Sequence, residues 1–350
     1  MAQKRAMTEA IAKEIVLRKS YLPSGQLSTI YFGGGTPSLL SGEELDLLLG
    51  VIREHFTVSP DAEITLEANP DDLNATNLSQ FARSGINRLS IGIQSFYEPH
   101  LQFLNRAHNA AEAQACVRKA QDAGIENISV DLIYAIPHPD HSVLESDVRT
   151  VVQLGISHVS AYCLTIEPQT VFGKWVKTQK LKPIDEDFAA RQFEILVGSL
   201  AAAEYEQYEI SNFARADHYS RHNTSYWQRK SYLGVGPSAH SYNGQSREFN
   251  VSNNARYIAS LGRDEILATV EALSAADHTN EYLLTSLRTK WGTDLAVLDE
   301  LSAGKFTREH QKEIDSLLQQ GLINVQQNSI KLSQKGKLFA DRISGDLFID

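Results

Sequence analysis

Three glycines in the segment YFGGGTP, Tyr31 to Pro37, stand between an apolar run and a helical one. Glycines so placed let a bare backbone approach a ligand and aim N–H groups at it. A second set of chemically capable residues falls on what reads as successive β-strands. Glu67, Gln94 and Asp131 share one register with Glu63, Thr65, Ser90, Gly92, Ser129, His158, Ser160 and Tyr162. The alternate register is apolar, with Ile64 and Leu66, Leu89, Ile91 and Ile93, then Ile128, Val130 and Leu132. Side chains alternate across a strand, so these are two faces of one sheet. A barrel filled only for stability carries bulky apolar residues on both faces; a small, polar inner face implies a concave, solvated lumen that receives a ligand. Arg106, just beyond the third of these strands, suits a charge-assisted pair with a carboxylate.

A repeating strand-then-helix pattern is needed to hold these residues, and hydrophobic period with its breakers supplies one. A helix at about Met7 to Arg18 leads into a strand at Ser28 to Phe32 and a helix at Gly42 to Phe56. Strands follow at Glu63 to Glu67, Arg88 to Gln94, Asn127 to Ile133 and His158 to Leu164. Helices at Ala75 to Ser84, Ala110 to Ala123, Val143 to Leu154 and Asp185 to Ala203 separate or follow them, and a last strand is expected near Glu206 to Ile210. Alternation of this kind predicts a parallel sheet with right-handed crossovers. After Ala214 the pattern breaks into a loop-rich segment holding RHNTSYW (Arg221 to Trp227) and LGVGPSAHSYNG (Leu233 to Gly244). From about Ala275, three helices and a strand pair (Leu322 to Gln326 and Ser329 to Leu332) resemble a winged helix. The expected division is therefore a barrel over residues 1–214, a connecting segment over 215–274 and a helical domain over 275–350.

Composition narrows the function classes. The 350 residues carry a formal net charge of −10, with no basic block to offset it, which argues against nucleic-acid binding. The winged-helix-like end accordingly reads as a packing or partner module, since DNA contact would call for a cationic recognition helix. No apolar run approaches the roughly 18 residues needed to span a bilayer, and a cytoplasmic location is the expectation. Two cysteines, Cys116 and Cys163, exclude a disulfide framework. The string Gly234-x-Gly236-x-x-Ala239 matches a dinucleotide fingerprint only superficially, because no βαβ unit with a ribose-binding acid follows it.

YFGGGTPSLL, ITLEANPDDL, GINRLSIGIQSF with LNRAH, and VDLIYAIP occur in this order over most of the chain. In order and spacing they resemble the HemN-like, coproporphyrinogen-oxidase-like members of the radical SAM superfamily. The resemblance implies an α/β fold: a partial, open TIM-like β/α barrel followed by a mostly helical, winged-helix-like domain. It implies that Gly34, Gly35 and Thr36 hold the methionyl amino group of S-adenosylmethionine. It also implies that Glu67, Gln94, Arg106 and Asp131 contact the methionine and ribose parts of that cofactor. RHNTSYW contains an HNxxYW element similar to that of the HemW-type haem chaperones. The implied function is to bind haem and S-adenosylmethionine and to deliver haem to respiratory haemoproteins, membrane-bound ones among them. His222 offers an imidazole, a usual axial ligand of haem iron, while Tyr226 and Trp227 could stack on a porphyrin face. His240 is a second candidate ligand. The alternatives are an oxygen-independent coproporphyrinogen III oxidase-like enzyme and a pseudoenzyme or scaffold that lacks the cluster.

Members of this superfamily hold a [4Fe–4S] cluster on a CxxxCxxC motif, because soft thiolates suit iron–sulfur clusters. This chain contains no such motif. Cys116 shares a helical face with Ala113, Ala120 and Ala123, and Cys163 lies on the helix-facing strand register, so both read as packing residues. The expectation is a chain without the N-terminal cluster region, with no residue assigned to catalysis and no cluster-dependent activity carried over intact.

Overall fold

The protein is described over Ala2 to Asp350 by a computed structural model. Seven strands form its main sheet: β1 (Gln26–Phe32), β2 (Thr57–Ala68), β3 (Arg88–Gln94), β4 (Asn127–Tyr134), β5 (His158–Cys163), β6 (Glu206–Glu209) and β7 (Asn212–Ala214). Their order is β1-β2-β3-β4-β5-β7-β6, a linear succession with β1 and β6 at the edges, so the barrel is open. From β2 to β5 the pairing is parallel, as strand-helix alternation requires. The last two strands depart from the expected all-parallel repeat. The chain reverses after Glu209, so β7 pairs with both β5 and β6, antiparallel in each case. A two-residue reversal leaves no room for a crossover helix, which a further parallel strand would need.

The chain forms two compact units, one of residues up to 34, 40–63 and 221–350, the other of residues 35–39 and 64–220. In the second unit Leu66, Leu89, Ile91, Ile93, Ile128, Val130 and Val159 are wholly buried on the helix-facing register. Each such side chain contributes roughly 1.5–3 kcal/mol of burial. The helix Ala75–Ser84 ends at Gly85, whose φ of +99° is a left-handed cap.

The other register differs from expectation. Thr65, Ser90, Ser129, His158 and Ser160 are buried, and only Glu67, Gly92, Gln94, Asp131 and Tyr162, toward the strand C-termini, retain exposure. The inner wall is therefore dry for half its depth. His158 explains this: one ring nitrogen meets Ser129 Oγ at 2.7 Å and the other Tyr208 Oη at 2.8 Å. Burial, reinforced by the positive charge of Arg88, holds this imidazole well below the usual histidine range, hence neutral. A neutral imidazole with both nitrogens satisfied is stable without water.

In the first unit the helix Ala2–Leu17 is tied down by Glu14, which is almost completely buried. Glu14 pairs with Arg18 Nε at 3.0 Å and accepts from Gly236 N at 2.9 Å, from Asn250 Nδ2 at 2.7 Å and from the Tyr257 hydroxyl. Gly236 has φ +109°, and a Cβ at Gly234 would lie 2.0 Å from the His240 carbonyl oxygen. These two glycines thus serve close packing and a left-handed turn. The segment after Ala214 is more ordered than its sequence suggests. It contains the helix Arg221–Trp227, a three-stranded antiparallel sheet (His240–Tyr242, Ser246–Asn250, Ala268–Ala272) and the helix Asn254–Leu261.

The C-terminal part has the winged-helix pattern. Helices Ala275–Leu287, Leu295–Leu301 and Phe306–Gln319 pack with the strands Thr293–Asp294, Ile323–Gln326 and Ser329–Leu332. Its first helix is a support for the helix Arg221–Trp227. Arg229 reaches the ring nitrogen of His278 at 2.7 Å, and Arg288 lies 5.6 Å from the Trp227 ring centroid.

Candidate functional site

Two groups of residues carry chemistry, one in each unit. At the C-terminal ends of β2, β3 and β4 the polar register brings Glu67, Ser90 and Asp131 within electrostatic reach of one another and of buried Arg88. Burial first, then the charge of Glu67, pushes the Asp131 carboxyl up to about 7, while Arg88 and hydrogen bonds with Ser160 and Ser90 pull it back. Tyr162 faces the same carboxylates and is pushed up to about 12, chiefly by burial.

Gln94 ends β3 with φ +69°, a left-handed conformation costly for a residue with a side chain. The β3–β4 register shifts between Ile91 and Gln94. The strand end is held from two sides. Ser95 Oγ and Phe96 N donate to the buried Asp147 at 2.7 and 2.9 Å, and His108 Nε2 lies 3.1 Å from the Ile93 carbonyl oxygen. A Cβ on Gly92 would come 3.0 Å from Gln94 Nε2 and 3.6 Å from Arg106 Nη2, so glycine there lets these side chains gather. Arg106 Nη2 donates to Asn69 Oδ1 at 2.7 Å and to the Gly92 carbonyl at 3.1 Å. Its Nε is buried without a hydrogen-bond partner among the described residues. The arginine is thus positioned by neutral groups, with a donor left for an incoming carboxylate.

The glycine loop is exposed from Gly33 to Thr36. Gly34 has φ +79°, and no heavy atom lies within 4 Å of where a Cβ would stand at Gly34 or Gly35. The Thr36 carbonyl accepts from Leu39 N at 3.1 Å, closing the single 3-10 turn Pro37–Leu39. Open backbone of this kind, a cationic donor with an unused N–H and acidic groups on one strand register fit the amino, carboxylate and ribose groups of S-adenosylmethionine.

The thiols do not fit an iron–sulfur cluster. Cys116 is buried inside its helix, with burial pushing the thiol up to about 12. Cys163 is half-buried and hydrogen-bonded with Tyr134; burial raises it as well. Among the described residues no group of three or more His, Cys, Asp or Glu side chains could hold a metal ion.

The second group lies in the first unit around the helix Arg221–Trp227. Buried Glu63 caps this helix from β2: Oε2 accepts from Arg221 N at 3.0 Å and Oε1 from His222 N at 2.9 Å. His222 stacks on Tyr31, with centroids 4.4 Å apart and planes at 14°. Its Nδ1 is 3.1 Å from Thr29 Oγ1 and its Nε2 3.1 Å from Tyr226 Oη. Tyr226 is 38% exposed and stands edge-on to Tyr232. Trp227 is half-buried against Arg288, with a buried Nε1 that has no partner among the described residues. His240 is exposed, 5.7 Å from Phe249 by ring centroids.

Glu63 was legible on the polar register, but its role was not, and Arg88 was marked only as the start of its strand. Thr29 and Tyr31 carried no signal beyond lying on an apolar strand. Asn69 and His108 stood inside recognised motifs without a task.

Residues 3–149 match the family model of the radical SAM superfamily, and residues 273–339 that of the HemN C-terminal domain. The structure of coproporphyrinogen III oxidase (HemN) from Escherichia coli has a similar fold. Its TM-score is 0.82 at 23% identity, over 99% of this chain and 84% of that one. Fold and family matches therefore define an open-barrel protein of the radical SAM class with a HemN-type C-terminal domain. Among curated proteins, the heme chaperone HemW of Mycobacterium tuberculosis is 35% identical over 95% of this chain and 84% of its own length. That of Bacillus subtilis is 31% identical over 96% and 89%. The chain belongs to the HemW family.

Proposed function

We propose that this protein is a haem chaperone that carries haem on the helix Arg221–Trp227 and S-adenosylmethionine at the C-terminal ends of its parallel strands. The observation that carries the reading is the arrangement of His222 in a chain that matches curated heme chaperones over 95% of its length. An imidazole stacked on Tyr31 sits beside an exposed tyrosine, on a helix anchored at its start by a buried carboxylate. Haem is the cargo, with His222 supplying an axial nitrogen and the Tyr226 ring an apolar face. Trp227, braced by Arg288, holds the helix and presents one ring edge. His240 is a subsidiary candidate.

S-adenosylmethionine would supply a sulfonium cation. Gly34, Gly35 and Thr36 would bind its amino group, and Arg106 Nε its carboxylate. Glu67, Gln94 and Asp131 would accept from, or donate to, its remaining polar groups. The recipients would be respiratory haemoproteins served from the cytoplasm. No helix among the described residues is long and apolar enough to cross a membrane.

Haemin titrated into the purified chain should shift the Soret band, and His222→Ala should weaken binding by well over about tenfold, since loss of an outer-shell partner alone costs about 10- to 100-fold. A spectrum of free haemin at every ratio for the unaltered protein would overturn the chaperone reading.

A further inference from the structure

His222 is held on both ring nitrogens, and the two contacts differ in kind. Thr29 lies on β1, the edge strand of the sheet, and is half-buried; Tyr226 lies one helical turn from His222 and is exposed. An imidazole can bind iron through Nε2 only if that nitrogen has no proton, which places the proton on Nδ1. In that tautomer Nδ1–H donates to Thr29 Oγ1, and the Tyr226 O–H donates to the Nε2 lone pair. We infer that Thr29 is the positioning residue that sets the His222 tautomer for haem, and that the Tyr226 hydroxyl is a displaceable cap on Nε2. The inference rests on the haem-chaperone reading above.

Loading then exchanges one bond for another. The hydrogen bond from Tyr226 to Nε2 breaks, the bond from Nε2 to iron forms, and the tyrosine keeps its proton. At 3.1 Å from Nε2 the Tyr226 hydroxyl is within hydrogen-bond reach as a donor. Tyr31, parallel to the imidazole at 4.4 Å, keeps the ring plane fixed while the cap leaves. Tyr226 has room to turn, being 38% exposed, whereas Thr29 does not leave its strand. A weak cap of this kind suits a carrier, because it shields the ligand nitrogen when empty and re-forms as haem departs.

The two contacts make opposite predictions in haemin titrations of the full chain. Thr29→Val, nearly the same shape without the hydroxyl, should weaken binding about tenfold, as loss of a hydrogen bond to a metal-ligating histidine typically does. Thr29→Ser should restore it. Tyr226→Phe keeps the ring and removes the cap, so binding should tighten by about 2- to 10-fold, the worth of one neutral hydrogen bond. The iron–histidine stretch of the ferrous complex, which reports donation from Nδ1, should fall in Thr29→Val and return in Thr29→Ser. If His222→Ala weakens binding but Thr29→Val matches the unaltered protein, or Tyr226→Phe fails to tighten it, the inference is overturned and the haem reading stands. If His222→Ala binds like the unaltered protein, the haem reading itself fails. Should Thr29→Val not fold, the exposed Tyr226→Phe and the Thr29→Ser spectrum still decide.

Discussion

Asp131→Asn should bind S-adenosylmethionine about 10- to 100-fold more weakly than the unaltered protein, the worth of one or two hydrogen bonds to a charged group. It should also lose a pH dependence that the unaltered protein shows. Burial and the neighbouring Glu67 raise this carboxyl from an ordinary 3.8 to about 7. Below that value the empty site holds a proton that a cationic ligand must expel, so affinity should rise with pH through about 7 and then level off. Calorimetry in two buffers of different ionisation enthalpy would detect the released proton, and its absence near pH 6 would sink this account. The same shift sets a stability trend of definite sign. Between pH 3.8 and about 7 the folded protein binds a proton that the unfolded chain has lost, so stability declines as pH rises across this window. Asparagine removes the decline, and the variant should be more stable than the unaltered protein above pH 7 while binding ligand less well. A stabilised but weakened variant marks a group kept for function.

Glu63→Ala should release the helix Arg221–Trp227. Two backbone donors, Arg221 N and His222 N, lose charge-assisted acceptors, and the N-terminal end of the helix loses a negative charge. The expected cost is about 3 kcal/mol, on the order of 1.5 kcal/mol for each bond to a charged group. Amide exchange at Arg221 and His222 should then quicken about a hundredfold, and haemin should bind more weakly because His222 is no longer held beside Thr29. Glu63→Gln retains one acceptor oxygen and should fall between. Unchanged exchange at both amides in Glu63→Ala would show that the helix is ordered by its contacts with the C-terminal domain alone.

Much of the scaffold was legible in local sequence. The strand Arg88–Gln94 and the helix Ala75–Ser84 have the boundaries that period and caps imply, because alternating Leu89, Ile91 and Ile93, and a glycine after Ser84, act over a few residues. Glu67, Gln94 and Asp131 could be placed on strand ends by the same register arithmetic, whereas Arg106, beyond the strand, was singled out by the resemblance. The helix Arg221–Trp227 could not. RHNTSYW has no apolar stripe of its own, and its start is set by a carboxylate 158 positions earlier. Likewise the reversal into β7 and the dry lower half of the polar wall depend on partners that only folding assembles. Ser129, His158 and Tyr208 come from three separate strands to satisfy one another.

By itself, then, the amino-acid order determined the succession of strands and helices through β5, the side on which each polar residue of those strands would stand, the shortage of thiols and the family. Tertiary structure alone decided which polar residues stay wet, which become struts, and that His222 is held at both nitrogens. The physical reason is range. Periodicity, caps and glycine turns act between neighbours in the chain, whereas desolvation and the pairing of buried donors depend on groups that are distant in sequence and meet only when the chain has folded.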